Sequence, residues 1–170
     1  MKLEDRIRDI PDFPKKGILF KDITPLLQDA AAFRQAIDSF TDIYRGRGID
    51  MVVAAEARGF ILGAPLAYNL GVGFVPVRKP AKLPAECISA EYALEYGLDS
   101  LHMHSDAIET GQRVLIIDDL LATGGTVAAK IELVERLGGE VAALAFLVEL
   151  TFLKGRERLK DYEVTSLIQY

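Results

Sequence analysis

Residues 114–126 read VLIIDDLLATGGT, the most informative stretch of the chain. Four β-favouring apolar residues come first, and the acidic pair Asp118 and Asp119 follows them. A loop of small residues comes next and leads into residues 127–137, whose apolar positions have the period of an amphipathic helix. The order predicts a strand, a tight turn and the N-terminus of a helix.

The loop Ala122-Thr123-Gly124-Gly125-Thr126 suits a phosphate monoester. A helix N-terminus leaves backbone N–H groups unpaired and carries a partial positive charge, so glycine and hydroxyl residues placed there can surround a phosphate closely. The two preceding carboxylates would repel that phosphate. They are better suited to accept hydrogen bonds from sugar hydroxyls or to face a divalent cation. The implied ligand is a ribose 5-phosphate with a metal ion nearby.

Two other phosphate-binding motifs do not match the chain. A Walker loop needs a lysine before its hydroxyl residue, whereas Gly125 precedes Thr126 here. A dinucleotide fingerprint needs a third glycine, and the nearest match, which begins at Gly71 and Gly73, has Pro76 in that place.

The composition indicates one globular domain, residues 1–170, with enough apolar residues to bury a core. Half of the residues are hydrophobic and 26% are charged, which excludes a disordered chain. The net charge is −5 and the isoelectric point is about 5.1. A chain with this charge has no broad basic surface, so we expect no nucleic-acid partner.

No targeting or membrane segment is predicted. The start, MKLEDRIRDI, lacks the apolar core of a signal peptide, and no stretch approaches the roughly 20 apolar residues that a membrane helix needs. The single cysteine, Cys87, cannot form an internal disulfide, which agrees with a reducing compartment. We expect a cytoplasmic protein with no membrane partner.

Strands and helices alternate along the chain. Strands are predicted at 51–55, 74–77, 89–96, 100–104, 114–117, 141–148 and 164–168, and helices at 33–44, after Gly59, at 127–137 and at 153–160. Near-continuous apolar strands predict an α/β domain whose central sheet is mostly parallel and is flanked by helices on both faces. Ligands bind beyond the carboxyl ends of such strands, where Glu56, Arg78 and Asp118 lie.

The stretch 114–126 resembles the phosphoribosyl pyrophosphate (PRPP) signature of the type I phosphoribosyltransferases. An ordinary buried strand and turn would explain the apolar residues and the glycine pair, but not two adjacent acids before Thr-Gly-Gly-Thr. The resemblance implies the single-domain fold of that family. It places the 5-phosphate of PRPP in the 122–126 loop and the ribose hydroxyls at Asp118 and Asp119. It also implies Mg²⁺ held mainly by PRPP near these two acids, with no direct protein ligand.

Residues 13–25 read FPKKGILFKDITP. Alone, this is an irregular, proline-rich entry segment whose aromatic residues could pack on the core. It resembles the N-terminal signature of the adenine-specific members of the family, in which residues matching 1–30 include a hood over the purine. The resemblance implies that Phe20 stacks on the base and that the backbone around Leu19 and Lys21 reads its polar edge. Stacking on an aromatic face is worth about 1–3 kcal/mol per base.

Three cations, Arg78, Lys79 and Lys82, lie within five residues at the end of a predicted strand. Alone they would be a solvated surface patch. Beside a site for a polyanionic ligand they are suited to neutralise pyrophosphate, and Arg58 is a further candidate for that role.

In the resembled family, residues 79–95 match a mobile loop that closes over PRPP and excludes water. The resemblance places Glu95 near the imidazole nitrogens of the purine as the catalytic acid or base, with Tyr92 and Tyr96 on the same loop. It also implies a homodimer in which Arg78 reaches into the site of the partner.

The sequence therefore predicts an enzyme of purine salvage that transfers the phosphoribosyl group of PRPP to N9 of adenine and gives AMP. Two alternatives remain open. The first is a transferase that acts on a 6-oxopurine, since the PRPP signature does not select the base. The second is a PRPP-sensing regulator without turnover, although such proteins usually add a DNA-binding module.

Overall fold

The computed structural model describes residues 1–94 and 96–170. Its helices and strands are, in chain order, β1 (Arg8–Pro11), β2 (Leu19–Asp22), α1 (Thr24–Gln28), α2 (Ala30–Tyr44), β3 (Met51–Ala55), α3 (Arg58–Leu70), β4 (Gly73–Val77), β5 (Cys87–Ala93), β6 (Leu98–His104), β7 (Arg113–Leu121), α4 (Gly125–Arg136), β8 (Glu140–Glu149) and β9 (Val164–Gln169). Three short 3₁₀ helices span Leu3–Arg6, Thr151–Leu153 and Gly155–Leu159.

The central sheet contains five parallel strands in the order β4-β3-β7-β8-β9. The prediction of a mostly parallel sheet is therefore confirmed. In β7, the four residues from Val114 to Ile117 are fully buried, because both faces of the sheet are covered. One buried cluster contains residues of α2 and α3, and a second contains residues of α4 and the β5–β6 hairpin.

Helix α2 begins three residues earlier than the periodicity of its aromatic residues indicates. The side chain of Asp29 accepts hydrogen bonds from the backbone N–H groups of Ala31 (3.0 Å) and Ala32 (3.1 Å). This N-cap satisfies two of the donors that a helix start leaves unpaired. The helix then buries Phe40 and Tyr44 against the sheet.

The predicted antiparallel pair around Gly97 is confirmed as the β5–β6 hairpin, in which Cys87 pairs with His104 and Ala93 with Leu98. The backbone of Arg78 exchanges two hydrogen bonds with that of His102, of 3.0 and 2.8 Å. The end of β4 is thereby tied to the hairpin, which holds the hairpin next to the carboxyl edge of the sheet.

Two expectations for secondary structure are wrong. The N-terminal segment is not simply irregular: β1 and β2 form an antiparallel hairpin, in which Ile10 pairs with Phe20. The predicted helix at 153–160 is replaced by two 3₁₀ helices, between which Lys154 adopts a left-handed conformation with φ 55°. Gly155 packs directly on the 122–126 loop, since a Cβ there would lie 2.4 Å from the carbonyl oxygen of Ala122.

Within residues 1–94 and 96–170, no helix has the length and apolar character needed to cross a membrane.

Gly63 allows α3 to pack closely on the sheet. A Cβ at this position would lie 2.7 Å from Cε2 of Phe74 and 3.0 Å from Cβ of Ala54. We expect Gly63→Val to lower the free energy of unfolding by about 1–3 kcal/mol through overpacking, although valine is the better helix former. Urea denaturation measures this change.

The matched control is Ala64→Val, at the next position of the same helix, which is exposed. It carries only a helix-propensity cost, below about 0.7 kcal/mol. Equal losses in the two variants would contradict the packing role of Gly63.

Candidate active site

A cleft of about 620 Å³ opens at the carboxyl edge of the parallel sheet. Its walls come from the segment after β3, the end of β7, the loop before α4 and the β5–β6 hairpin. The lining residues that matter chemically are Glu56, Arg58, Lys79, Tyr92, Asp118, Asp119, Ala122, Thr123, Gly124, Gly125 and Thr126. The structure thus brings the predicted phosphate loop, both acids, two of the predicted cations and Tyr92 to one cleft.

The predicted phosphate loop passes into α4 at Gly124, which has φ +87° and precedes the first residue of the helix. A side chain at Gly124 would be strained, and its Cβ would also lie 3.1 Å from the carbonyl oxygen of Gly155. No side chain in the described structure caps this helix start. Its first backbone N–H groups are therefore available to an anion in the cleft.

The two acids belong to β7 itself, which continues to Leu121 instead of ending before Asp118. Their carboxylates have different partners. Asp118 Oδ2 lies 2.5 Å from Nζ of Lys130, and Oδ1 accepts a 2.9 Å hydrogen bond from the backbone N–H of Asp119. Asp119 Oδ2 lies 2.6 Å from Nε of Arg58.

These partners separate the ionisation of the two acids. Burial tends to raise the pKa of Asp118, but the ammonium of Lys130 outweighs it, and the pKa lies below its usual range. Burial and the neighbouring charge of Asp118 raise the pKa of Asp119 to about 7, against the opposing effect of Arg58. Asp118 is therefore the more acidic of the two, and Asp119 retains its proton to a higher pH.

Lys79 is held at the cleft by the hairpin. Its ammonium donates a 2.7 Å hydrogen bond to the hydroxyl of Tyr92 and pairs with Asp99, which also accepts a 3.1 Å hydrogen bond from Tyr92. The hydrogen bond to Asp99 raises the pKa of Lys79, so this side chain remains a cation. Lys79 and Tyr92 are thus part of one polar cluster.

Glu56 contacts both Arg78 and Lys79, the first two of the three cations that follow β4. Its Oε1 accepts a 2.7 Å hydrogen bond from the backbone N–H of Lys79 and lies 3.3 Å from Nε of Arg78. The hydrogen bond from Lys79 lowers the pKa of Glu56. Arg78 also donates to the carbonyl oxygen of Lys82, at 3.4 Å. Two of the predicted pyrophosphate ligands therefore contact each other beside the cleft.

The N-terminal β1–β2 hairpin lies near the cleft, because its residue Phe20 is close to Arg58, which lines the cleft. The guanidinium carbon of Arg58 is 5.7 Å from the ring centroid of Phe20, and the ring of Phe13 packs edge-on against Phe20 at 5.1 Å. Lys21 turns its side chain away, to Asp9 (2.6 Å). Arg58 therefore lies between the predicted base-stacking residue and the acid pair.

Several predicted residues do not line the cleft within the described part of the chain: Leu19, Phe20, Lys21, Arg78, Lys82 and Tyr96. Tyr96 is 87% exposed. Glu95, the predicted catalytic residue, lies outside the described residues.

Three charged residues beside the cleft were missed from the sequence: Glu56 was noted only at a strand end, and Asp99 and Lys130 were not singled out. Lys130 had a signal, because it occupies an apolar position of the helix between Val127 and Val134. A lysine in such a pattern is usually interpreted as exposed. Asp99 gave no signal, since its contact with Lys79 depends on the tertiary structure.

The chain matches the Phosphoribosyl transferase domain family over residues 23–169. An adenine phosphoribosyltransferase of Thermotoga neapolitana is 64% identical over 170 residues, 100% of both chains. The crystal structure of adenine phosphoribosyltransferase from Thermoanaerobacter pseudethanolicus has a TM-score of 0.96 and 61% identity, covering 99% of this chain and 98% of that one.

The Saccharomyces cerevisiae adenine phosphoribosyltransferase, complexed with D-2,5-dideoxy-2,5-imino-altritol 1,6-bisphosphate and adenine, has a TM-score of 0.92 and 44% identity, covering 97% of this chain and 96% of that one. The similarities extend over the sheet, the phosphate loop and the N-terminal hairpin, and they confirm the predicted type I fold. The chain belongs to the phosphoribosyl transferase domain family and, within it, to the adenine phosphoribosyltransferases.

Proposed function

We propose that this enzyme transfers the 5-phosphoribosyl group of PRPP to N9 of adenine, giving AMP and pyrophosphate in purine salvage. The observation that carries the proposal is one cleft in which an uncapped helix start, an acid pair and two cations face one another. The relatives are named for the same activity, and one of them is solved with adenine bound.

The 5-phosphate of PRPP would bind at residues 122–126. The backbone N–H groups at the start of α4 and the hydroxyls of Thr123 and Thr126 supply its donors. The ribose hydroxyls would donate to Asp118 and Asp119. Each carboxylate can accept more bonds than the ones it makes within the protein, because two oxygens offer about four lone-pair positions.

The pyrophosphate would lie against Arg58 and Lys79. Both are cations on the cleft wall, and both pair with an acid in the structure, Asp119 and Asp99 respectively. A ligand with several negative charges can replace these acids as the partner of each cation. Arg78 and Lys82 lie beside this wall and would complete the pyrophosphate site. Lys82 would reach it when the 79–95 loop closes, and Arg78 would enter the site of a partner subunit.

Adenine would bind under a hood formed within residues 1–30. Strand β2 pairs only with β1 in the described structure, so one edge of β2 has backbone groups without a strand partner. The backbone of Leu19 and Lys21 is proposed to read the polar edge of adenine from there, with Phe20 stacked on the ring. Glu95 is proposed to take the proton of N9.

We propose that Mg²⁺ binds in this cleft mainly through oxygens of PRPP. Within the described ranges, no group of three or more His, Cys, Asp or Glu side chains could hold a metal. Asp118 and Asp119 would lie near an ion bound to PRPP. When bound, the ion would add positive charge at the leaving pyrophosphate.

In the reaction, the bond from C1 of the ribose to the pyrophosphate oxygen breaks, its electron pair leaves with pyrophosphate, and the C1–N9 bond forms. Positive charge develops on the ribose ring and negative charge on the leaving group. The cations on the wall stabilise the leaving group, and the anchored phosphate and hydroxyls position C1. Closure of residues 79–95, which include Tyr92 and are followed directly by Tyr96, is proposed to exclude water.

We also propose that the enzyme is a homodimer in the cytoplasm. Helix α3 presents the large apolar side chains of Ile61 and Tyr68, which are 41% and 85% exposed, on its outer side. A reducing compartment suits the free Cys87.

Release of pyrophosphate with a panel of bases tests the proposed activity. The enzyme is mixed with PRPP and Mg²⁺, and adenine, hypoxanthine, guanine or xanthine is added separately. We expect adenine to be preferred by orders of magnitude, because a backbone acceptor that reads an amino group is left unpaired by an oxo group. If an oxopurine gives pyrophosphate release and adenine does not, the base must be reassigned. If none of the four bases gives release, the proposed activity is contradicted.

Asp119→Asn should separate stability from binding. The pKa of Asp119 is raised to about 7 in the folded protein, above about 3.9 in the unfolded chain. The folded state therefore binds more protons between these pH values, and stability falls as pH rises through this window. We expect the substitution to raise the thermal midpoint more at pH 8 than at pH 5.

The same substitution should weaken PRPP binding by about 10- to 100-fold at pH 8, because a charged acceptor for a ribose hydroxyl is lost. Asp38→Asn, at an exposed position of α2, is the control for both measurements. An equal shift in the thermal midpoint at the two pH values, or unchanged calorimetric affinity for PRPP, would contradict these roles of Asp119.

A further inference from the structure

Lys130 is a fully buried ammonium on α4. Its neighbours on the buried side of the helix include Val127, Ile131 and Val134. Removing an ammonium from water costs several kcal/mol unless it is paired. A residue with this cost at an apolar position requires a compensating contact.

The compensating contact is the carboxylate of Asp118, at 2.5 Å. The other oxygen of that carboxylate accepts the backbone N–H of Asp119, and Gly59 leaves it room: a Cβ at Gly59 would lie 3.2 Å from Asp118 Oδ1. The Asp118 side chain is 16% exposed, and it lines the cleft. Lys130 therefore contacts, from the protein interior, a carboxylate that also lines the ligand cleft.

The contact between Lys130 and Asp118 also balances charge in the site. Two adjacent carboxylates repel each other, and two cations, Lys130 and Arg58, balance them in the structure. Arg58 is 47% exposed and is proposed above to bind pyrophosphate. When it does so, Asp119 loses a partner. Lys130 is fully buried and does not line the cleft, so it stays available as the counter-ion of Asp118.

We propose that Lys130 is a positioning residue, which orients the Asp118 carboxylate for the ribose diol of PRPP and balances its charge while Arg58 binds pyrophosphate. The inference rests on the proposed function, since it assumes that PRPP binds in this cleft. Lys130 itself does not contact the substrate; it acts through Asp118.

A double-mutant cycle tests this role. PRPP and pyrophosphate, each with Mg²⁺, are titrated calorimetrically into the wild type, Asp118→Asn, Lys130→Met and the double variant. We expect each single substitution to weaken PRPP binding by about 10- to 100-fold. The affinity of the double variant for PRPP should be no lower than that of the single variant that binds PRPP more weakly. The two losses do not add, because both changes remove the same interaction.

Pyrophosphate has no ribose, so the double variant, whose buried pair is neutral, should bind it as the wild type does. Val134→Ala is the matched control: it weakens the core of the same helix without touching Asp118. It should lower the thermal midpoint and leave PRPP affinity unchanged. If Lys130→Met does not fold, Asp118→Asn and the double variant carry the test, and equal PRPP affinities support the role.

Wild-type PRPP affinity in Lys130→Met would overturn the proposal, as would losses that multiply in the double variant. Failure of the wild type to bind PRPP would instead overturn the proposed function.

Discussion

The junction between β7 and α4 is the constraint on which the site depends. A strand buried on both faces leads into a helix through Gly124, whose positive φ and close contact with Gly155 would strain any side chain at that position. The junction fixes the direction of the helix start relative to the two acids. A helix start without a side-chain cap and two carboxylates therefore face one cleft, an arrangement suited to a sugar phosphate.

Around this junction, every charged side chain described at the cleft has a partner of opposite charge. Asp118 is paired with Lys130, Asp119 with Arg58, Lys79 with Asp99 and Glu56 with Arg78. Lys130 is fully buried, whereas Arg58 and Lys79 are partly exposed. We propose that this difference divides their roles: Lys130 stays with its acid, and Arg58 and Lys79 exchange an acid for a phosphate.

The parts of the fold that were predictable are those with a local signal. The apolar run of β7, the aromatic spacing of α2 and the turn at Gly97 each identify one element, and alternation of strands and helices then implies the parallel sheet. The β1–β2 hairpin was not predictable, because its strands have four residues each and their pairing is not encoded locally. The positions of Asp118 and Asp119 followed from the motif, but their partners Lys130 and Arg58 depend on how α4 and α3 pack on the sheet.

We propose that the backbone at the start of α4 binds the phosphate of a ribose 5-phosphate, and the other roles in the cleft depend on this contact. The most direct test is an NMR titration of the ¹⁵N-labelled enzyme with ribose 5-phosphate, which follows the amide resonances. The largest shifts are expected at residues 123–127, with a smaller set at Asp118 and Asp119. Largest shifts at amides outside this junction, with residues 123–127 unaffected, would show that the phosphate binds elsewhere.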